Sequence, residues 1–473
     1  MSAAVGWIAP ALVWAATTWG AREILRGLGL IRCRAGDWGT AFGLGFTLYT
    51  GLVYAGAAAG VRIAAPLMIG AAGLVFVVGH LLGRRAPRRA AAPQPPAPWS
   101  PPERAVALLL TVSAAFMIIN ALYFPVSAMD AHSYDGRARF LVHDGRLDLA
   151  LYHWPGYVWS GSSNMTYPPL FNLGLATAYA FGGWQSKMVT ALFSLAWPLM
   201  LFGVLRPRLP RFAALMWTLA AVLTPEVFSH ASYALLNVPA MALILGAAAA
   251  WFRFLEEGNR AWIGLAAAFA AGAAGVRPDA LVPHVALGAT ALGFALADPR
   301  RRSELRRWIV PMIAAGGAPL ATWGTWTLYL RFVVGVTHLS PISSGDTIGP
   351  GIMIGVLPRL LPNFDTYGAV FWLWAASLPL LVLRGRTRAA LFHHAAAVLV
   401  LCGLLALFAG IDRSYGGGVA DVVNSSFKRA VFYIIPLAVI GAALSPPWVW
   451  MAGVGRGWLH GGAPRPRMRP ARG

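Results

Sequence analysis

Apolar runs of roughly 17–23 residues recur along the 473-residue chain, separated by short polar or basic stretches. Each is long enough to cross the ~30 Å hydrocarbon core of a bilayer as a helix. Thirteen such runs stand at about 3–20, 40–59, 63–83, 106–124, 188–205, 212–228, 233–252, 261–276, 280–297, 308–330, 367–383, 389–409 and 431–450. The pattern predicts an all-α polytopic integral membrane protein with about 13 transmembrane helices. The longest interval between runs, 125–187, predicts a loop carrying short juxtamembrane helices. Ser127 and Asp130 have the spacing of a capping box, which starts a helix near Ser127. Further on, Tyr167-Pro168-Pro169 precedes the apolar stretch 170–180. That stretch is too short to span and reads as a half-helix in or on the outer leaflet.

One interval differs in kind. Residues 84–104 read RRAPRRAAAPQPPAPWSPPER, too rich in proline for a helix, and form a flexible hinge. The expected organisation is an N-terminal three-span extension (1–83), this linker (84–104), a transmembrane body (105–451) and a basic tail (452–473).

Composition sharpens the class. Only 12% of residues are charged, where soluble domains carry about 25%. The net charge of +21 does not point to nucleic acid, because the arginines fall in short clusters between apolar runs. Counting alternate loops, 27 of the 38 Lys and Arg residues lie on one side, which is expected to be cytoplasmic. With thirteen spans the N-terminus is then outside and the C-terminus inside. The dominance of arginine over lysine, with abundant alanine and glycine, fits a GC-rich bacterial genome and hence a bacterial plasma membrane. No basic residues precede the first apolar run, so no cleavable signal peptide is expected. Cys33 and Cys402 give no disulfide framework.

Ten of the seventeen acids lie in the expected outer loops. Topology does not require them there, so the outer face is where chemistry is sought. Asp130 either caps a helix start, where negative charge is favoured, or acts as general base on an acceptor hydroxyl. Arg137, seven residues on, lies on the same helix face, and Asp135 on another. Glu226 and His230 sit between two runs, and Arg277-Pro278-Asp279 forms a tight hairpin. Lys428 and Arg429 stand directly before the last run. Basic residues on this side either snorkel to lipid headgroups or bind a phosphate. Outer His132, His143 and His153 match no zinc spacing.

In order along the chain, these motifs resemble the GT-C superfamily of membrane glycosyltransferases, which includes protein O-mannosyltransferases and the lipid A aminoarabinose transferase. The resemblance covers 106–450. It is carried by Asp130-Ala-x-Ser-Tyr, Tyr167-Pro-Pro-Leu, Ala231-Ser-Tyr with Asn237-Val-Pro, Arg277-Pro-Asp, and the basic-aromatic entry at Lys428-Arg429. It implies a polyprenyl-phosphate-sugar donor held among membrane lipid, and inversion at the anomeric carbon. It implies Asp130 as the catalytic carboxylate, with Asp135 or Glu226 as a helper that orients the acceptor or binds a divalent metal. Arg137, Tyr167, His230, Arg277, Asp279, Lys428 and Arg429 would bind substrate. The chain departs from the family at Asn237, where aspartate is frequent, and it lacks a soluble outer domain. That second departure favours a glycolipid or polysaccharide acceptor over a folded protein. The rivals are a transporter or flippase, or a polymerase or ligase, of lipid-linked sugars.

Overall fold

A computed structural model of the chain describes residues 3–31, 34–85, 98–123, 126, 129–149, 152, 166–335, 346–383, 387–413 and 418–445. Among the described residues the chain is helical, with no strand beyond an isolated bridge between Thr347 and Asp412. Ser127, Cys33, His153, most of the linker and the basic tail lie outside the described residues.

Helices α1 (Ala3–Gly27), α2 (Arg34–Ala58) and α3 (Ala65–Arg84) come first. Helix α4 (Pro101–Tyr123) begins inside the expected linker. Its two prolines occupy the first turn, where a missing N–H costs nothing. Next come α5 (Met129–Asp144), α6 (Leu170–Ala180), α7 (Met188–Leu205), α8 (Arg211–Val222), α9 (Pro225–His230) and α10 (Asn237–Glu257). Helix α11 (Ala261–Val276) turns through a short 3₁₀ segment, Pro278–Ala280, into α12 (Leu281–Ala297). Then follow α13 (Pro299–Ser303), α14 (Leu305–Tyr329), α15 (Pro350–Leu360), α16 (Phe364–Tyr367), α17 (Val370–Leu383) and α18 (Arg388–Ala409). The described chain closes with α19 (Val419–Asp421), a π-helix (Val422–Phe427), α20 (Lys428–Ala430), a 3₁₀ turn (Val431–Tyr433) and α21 (Ile435–Ala443).

The expected count of thirteen spans is not met. Seven described helices are long and apolar enough to cross a membrane: α2, α3, α4, α7, α10, α12 together with its leading 3₁₀ turn, and α18. The segments 419–433 and 435–443, bent by 44°, make an eighth if they act as one span. The shortfall has two causes. Helices α8, α11 and α17 have 12, 16 and 14 residues, fewer than the roughly 17 that the shortest spanning helices need. Helices α1 and α14 have 25 residues each, but their Gly, Thr, Pro and Trp dilute the apolar character. Seven crossings would leave the termini on opposite sides and eight on the same side, so the described helices do not fix the expected orientation.

The N-terminal helices share one continuous core with the rest of the chain. Small residues let the backbones meet, as helices packed in a membrane commonly require. A Cβ on Gly79 would stand 2.1 Å from the Gly20 carbonyl oxygen, and one on Gly36 would stand 2.4 Å from Gly203 Cα. Helix α10 is buried over nearly its whole length and forms the centre of the bundle. Helix α6 is also enclosed, with Leu170–Ala178 all buried. It is therefore a core element rather than a half-helix at the lipid surface.

Candidate functional site

The site is assembled where α5, α9 and α20 meet the N-terminal end of α10 and the hairpin between α11 and α12. Asp130 is in the first turn of α5, a position favourable to a negative charge. Its Oδ2 accepts from Arg429 Nη1. Arg429 stands two residues past the π-helix, a wide turn frequent at functional sites. Arg429 Nε donates to the Ser425 carbonyl at 2.9 Å, and Nη2 donates to Ser425 Oγ. The guanidinium is thus oriented by the turn that carries it. The Asp130 and Arg429 side chains remain 26% and 23% exposed, so the pair is open to a ligand.

A second pair lies beside the first. Lys428 Nζ stands 3.0 Å from Glu226 Oε1. The same oxygen is 3.4 Å from His230 Nε2, one helical turn along α9. His230 Nδ1 is 2.7 Å from Asn237 Nδ2, and Asn237 Oδ1 accepts from Arg277 Nη1. Arg277 holds Asp279 in a two-pronged pair, at 2.9 Å and 2.7 Å. Tyr433 O–H donates to Asp279 Oδ1 at 3.0 Å. Hydrogen bonds and ion pairs therefore run unbroken from Lys428 to Tyr433 through five intervening residues. Burial alone would raise the Glu226 carboxyl, but hydrogen bonds from His230 and Lys428 and the Lys428 charge hold it below the ordinary carboxylate range. Burial pushes the His230 imidazole below its ordinary value, against the opposing pull of Glu226.

Tyrosines line the same place. Tyr367 O–H donates to the Lys428 carbonyl at 2.7 Å. The rings of Tyr134 and Tyr167 stack at 6.4 Å. Burial drives the Tyr134 hydroxyl well above its ordinary range, and Tyr167, Arg277, Asp130 and Arg429 all act on it electrostatically.

Two expected site residues do not join this group. Arg137 shares a sequence face with Asp130, but seven residues separate them by about 10 Å along the axis. It is fully buried, with Nη1 donating to the Tyr167 carbonyl at 2.5 Å and its guanidinium 5.1 Å from the Trp326 ring. It supports the Tyr167 backbone from behind. Asp135 is 4% exposed and faces away from Arg429's side of α5. It accepts from Ser186 Oγ at 2.5 Å, Tyr179 O–H at 2.6 Å and Arg139 Nε at 3.1 Å. These bonds pin α5 to the end of α6 and to the turn before α7.

Asn237, Tyr134, Tyr367, Ser425 and Tyr433 were not singled out as site residues by sequence. Asn237 carried a signal as a departure from a motif, and Tyr134 as the last residue of the Asp130-Ala-x-Ser-Tyr motif. The others are a hydroxyl on a helix or near a span, which nothing in a pattern distinguishes from packing. Among the described residues no three of His, Cys, Asp and Glu gather as a metal would require. The site carboxylates face cationic partners instead, so no step is routed through a metal. No protein-family model matches the chain, and no curated protein matches it significantly.

Proposed function

We propose that this chain is a membrane glycosyltransferase of the GT-C type. It moves a sugar from a polyprenyl-phosphate donor to a glycolipid or polysaccharide acceptor of the bacterial cell envelope, with inversion. The observation that carries this reading is the meeting of Asp130 with Arg429, beside Glu226 with Lys428, as partly exposed pairs at one place in the bundle. Such pairs are cheap to exchange, because an anionic ligand can replace a carboxylate on the cation it leaves.

In the proposed reaction the donor phosphate takes the place of Asp130 on Arg429. The freed carboxylate then accepts the proton of the acceptor hydroxyl. The hydroxyl oxygen bonds to the anomeric carbon from the face opposite the phosphate. The carbon–oxygen bond to phosphate breaks, and its electron pair stays on the phosphate. The phosphate gains negative charge in this step, so Arg429 and Lys428 stabilise the transition state more than the ground state. Glu226 holds the Lys428 side chain, and Tyr367 its backbone. The leaving phosphate needs no proton, so one carboxylate suffices, unlike glycosidases, where a second carboxylic acid protonates the leaving alcohol.

The test is sugar release from a panel of polyprenyl-phosphate sugars by the purified, detergent-solubilised chain, beside Asp130→Asn. Release by the unmutated chain, reduced about a hundredfold or more in the variant with donor binding kept, supports the reading. Translocation of lipid-linked sugar across vesicles without any release replaces it with the transporter reading.

A further inference from the structure

The hydrogen-bond line behind Lys428 fixes the position of a proton. Arginine only donates, and Arg277 donates to Asn237 Oδ1. That settles which way the Asn237 amide faces: its nitrogen is turned to His230 Nδ1, at 2.7 Å. An amide N–H donates, so Nδ1 must accept. A neutral imidazole that accepts at Nδ1 carries its proton on Nε2. Nε2 is the atom that faces Glu226 Oε1 at 3.4 Å.

We propose that Asn237 is a positioning residue that holds His230 as the neutral Nε2–H tautomer. His230 is thereby a fixed donor to Glu226 rather than a third cation beside Lys428 and Arg429. The inference goes beyond sugar transfer and stands whatever ligand the site takes.

The surroundings agree. The groups that act on the ring are Glu226 on its own helix, Asn237 on α10 with Arg277 behind it, and Lys428 and Arg429 on α20. The rings of Phe432 and Tyr233 pack at 4.8 Å and 6.4 Å. Burial and the two cations disfavour a charged imidazole, and only Glu226 favours one. An aspartate at 237 would reverse this. It would accept from both Arg277 and His230 Nδ1, and an imidazole bonded to carboxylates at both nitrogens carries both protons. Asparagine at this position therefore sets the charge of the site.

The test uses the full chain with ¹⁵N-labelled histidine in nanodiscs, His230→Gln serving to identify the His230 signals. At pH 7 the unmutated protein is expected to show a neutral ring with the proton on Nε2. An Nδ1–H or doubly protonated pattern overturns the proposal, with no dependence on how any Asn237 variant folds. In Asn237→Asp the protonation midpoint of His230 is expected to rise by about one pH unit or more. A folded Asn237→Asp with an unchanged midpoint overturns it as well. A merely structural role for Asn237 would leave the His230 midpoint unmoved in Asn237→Asp.

Discussion

Asp130 and Asp135 stand five residues apart on α5, yet their surroundings share almost nothing. Asp130 keeps about a quarter of its side chain in contact with solvent and faces a guanidinium, from the far end of the chain, that is similarly open. Asp135 is buried and already accepts from a serine, a tyrosine and an arginine. A carboxylate with its acceptor positions filled by neutral and charged donors holds helices together. A carboxylate that keeps solvent contact and meets a similarly open cation is available for chemistry. On this helix the difference between structure and site is thus the exchangeability of partners, rather than the presence of charge.

Substitution at each position separates the two. Asp130→Asn should lower transfer by about a hundredfold or more while leaving the unfolding midpoint nearly unchanged. Turnover and thermal unfolding measured in one detergent check this, and normal turnover breaks the contrast. Asp135→Ala should do the reverse. It strips the acceptor from Ser186, Tyr179 and Arg139, which costs about 2–3 kcal/mol of stability. A variant as stable as the parent would mean that the buried cluster is not a staple. Arg429→Gln should weaken inhibition by free polyprenyl phosphate about tenfold, or ~1.4 kcal/mol. Equal inhibition of variant and parent would remove phosphate from the role assigned to that cation.

The smallest effect is in the pH dependence of stability. The folded His230 imidazole lies below its ordinary value of 6.5, so below about pH 6.5 the unfolded chain takes up a proton that the folded chain refuses. Stability falls as pH drops through that window. Glu226 is also lowered, from 4.5, so its contribution is complete above about pH 4.5 and is lost on further acidification. His230→Gln should flatten the first window and shrink the second, because it removes the bond that lowers Glu226; Glu226→Gln should abolish the second and deepen the first, because it removes the group that pulls His230 up. Unfolding midpoints between about pH 3 and pH 8 would show it, and two parallel curves would refute it.

Parts of this were legible in the sequence. The enclosed helix Leu170–Ala180 has the limits that its flanking prolines and apolar run suggest. Its burial was not legible, because an apolar stretch too short to span reads the same whether lipid or protein covers it. The span count failed for a related reason. Hydropathy marks where apolar residues lie, but a break such as Leu223–Thr224 between α8 and α9 decides whether they make one long helix or two short ones. Within the site, Glu226, His230, Arg277, Asp279, Lys428 and Arg429 stood out as polar residues at the ends of apolar runs. Their hub, Asn237, opens a buried helix and looked like a missing acid.

The sequence by itself determined that the chain is helical, apolar enough for several membrane crossings, and sparing with charge. Those properties follow from local composition and period, which need no partner. Which charge faces which was decided only by the tertiary structure. Asp130 and Arg429 are 299 positions apart, and no spacing rule links residues at that distance. Only the tertiary packing that sets the start of α5 against α20 brings them within bonding reach. The same packing places Asp135, of identical chemistry, where no ligand can displace its partners.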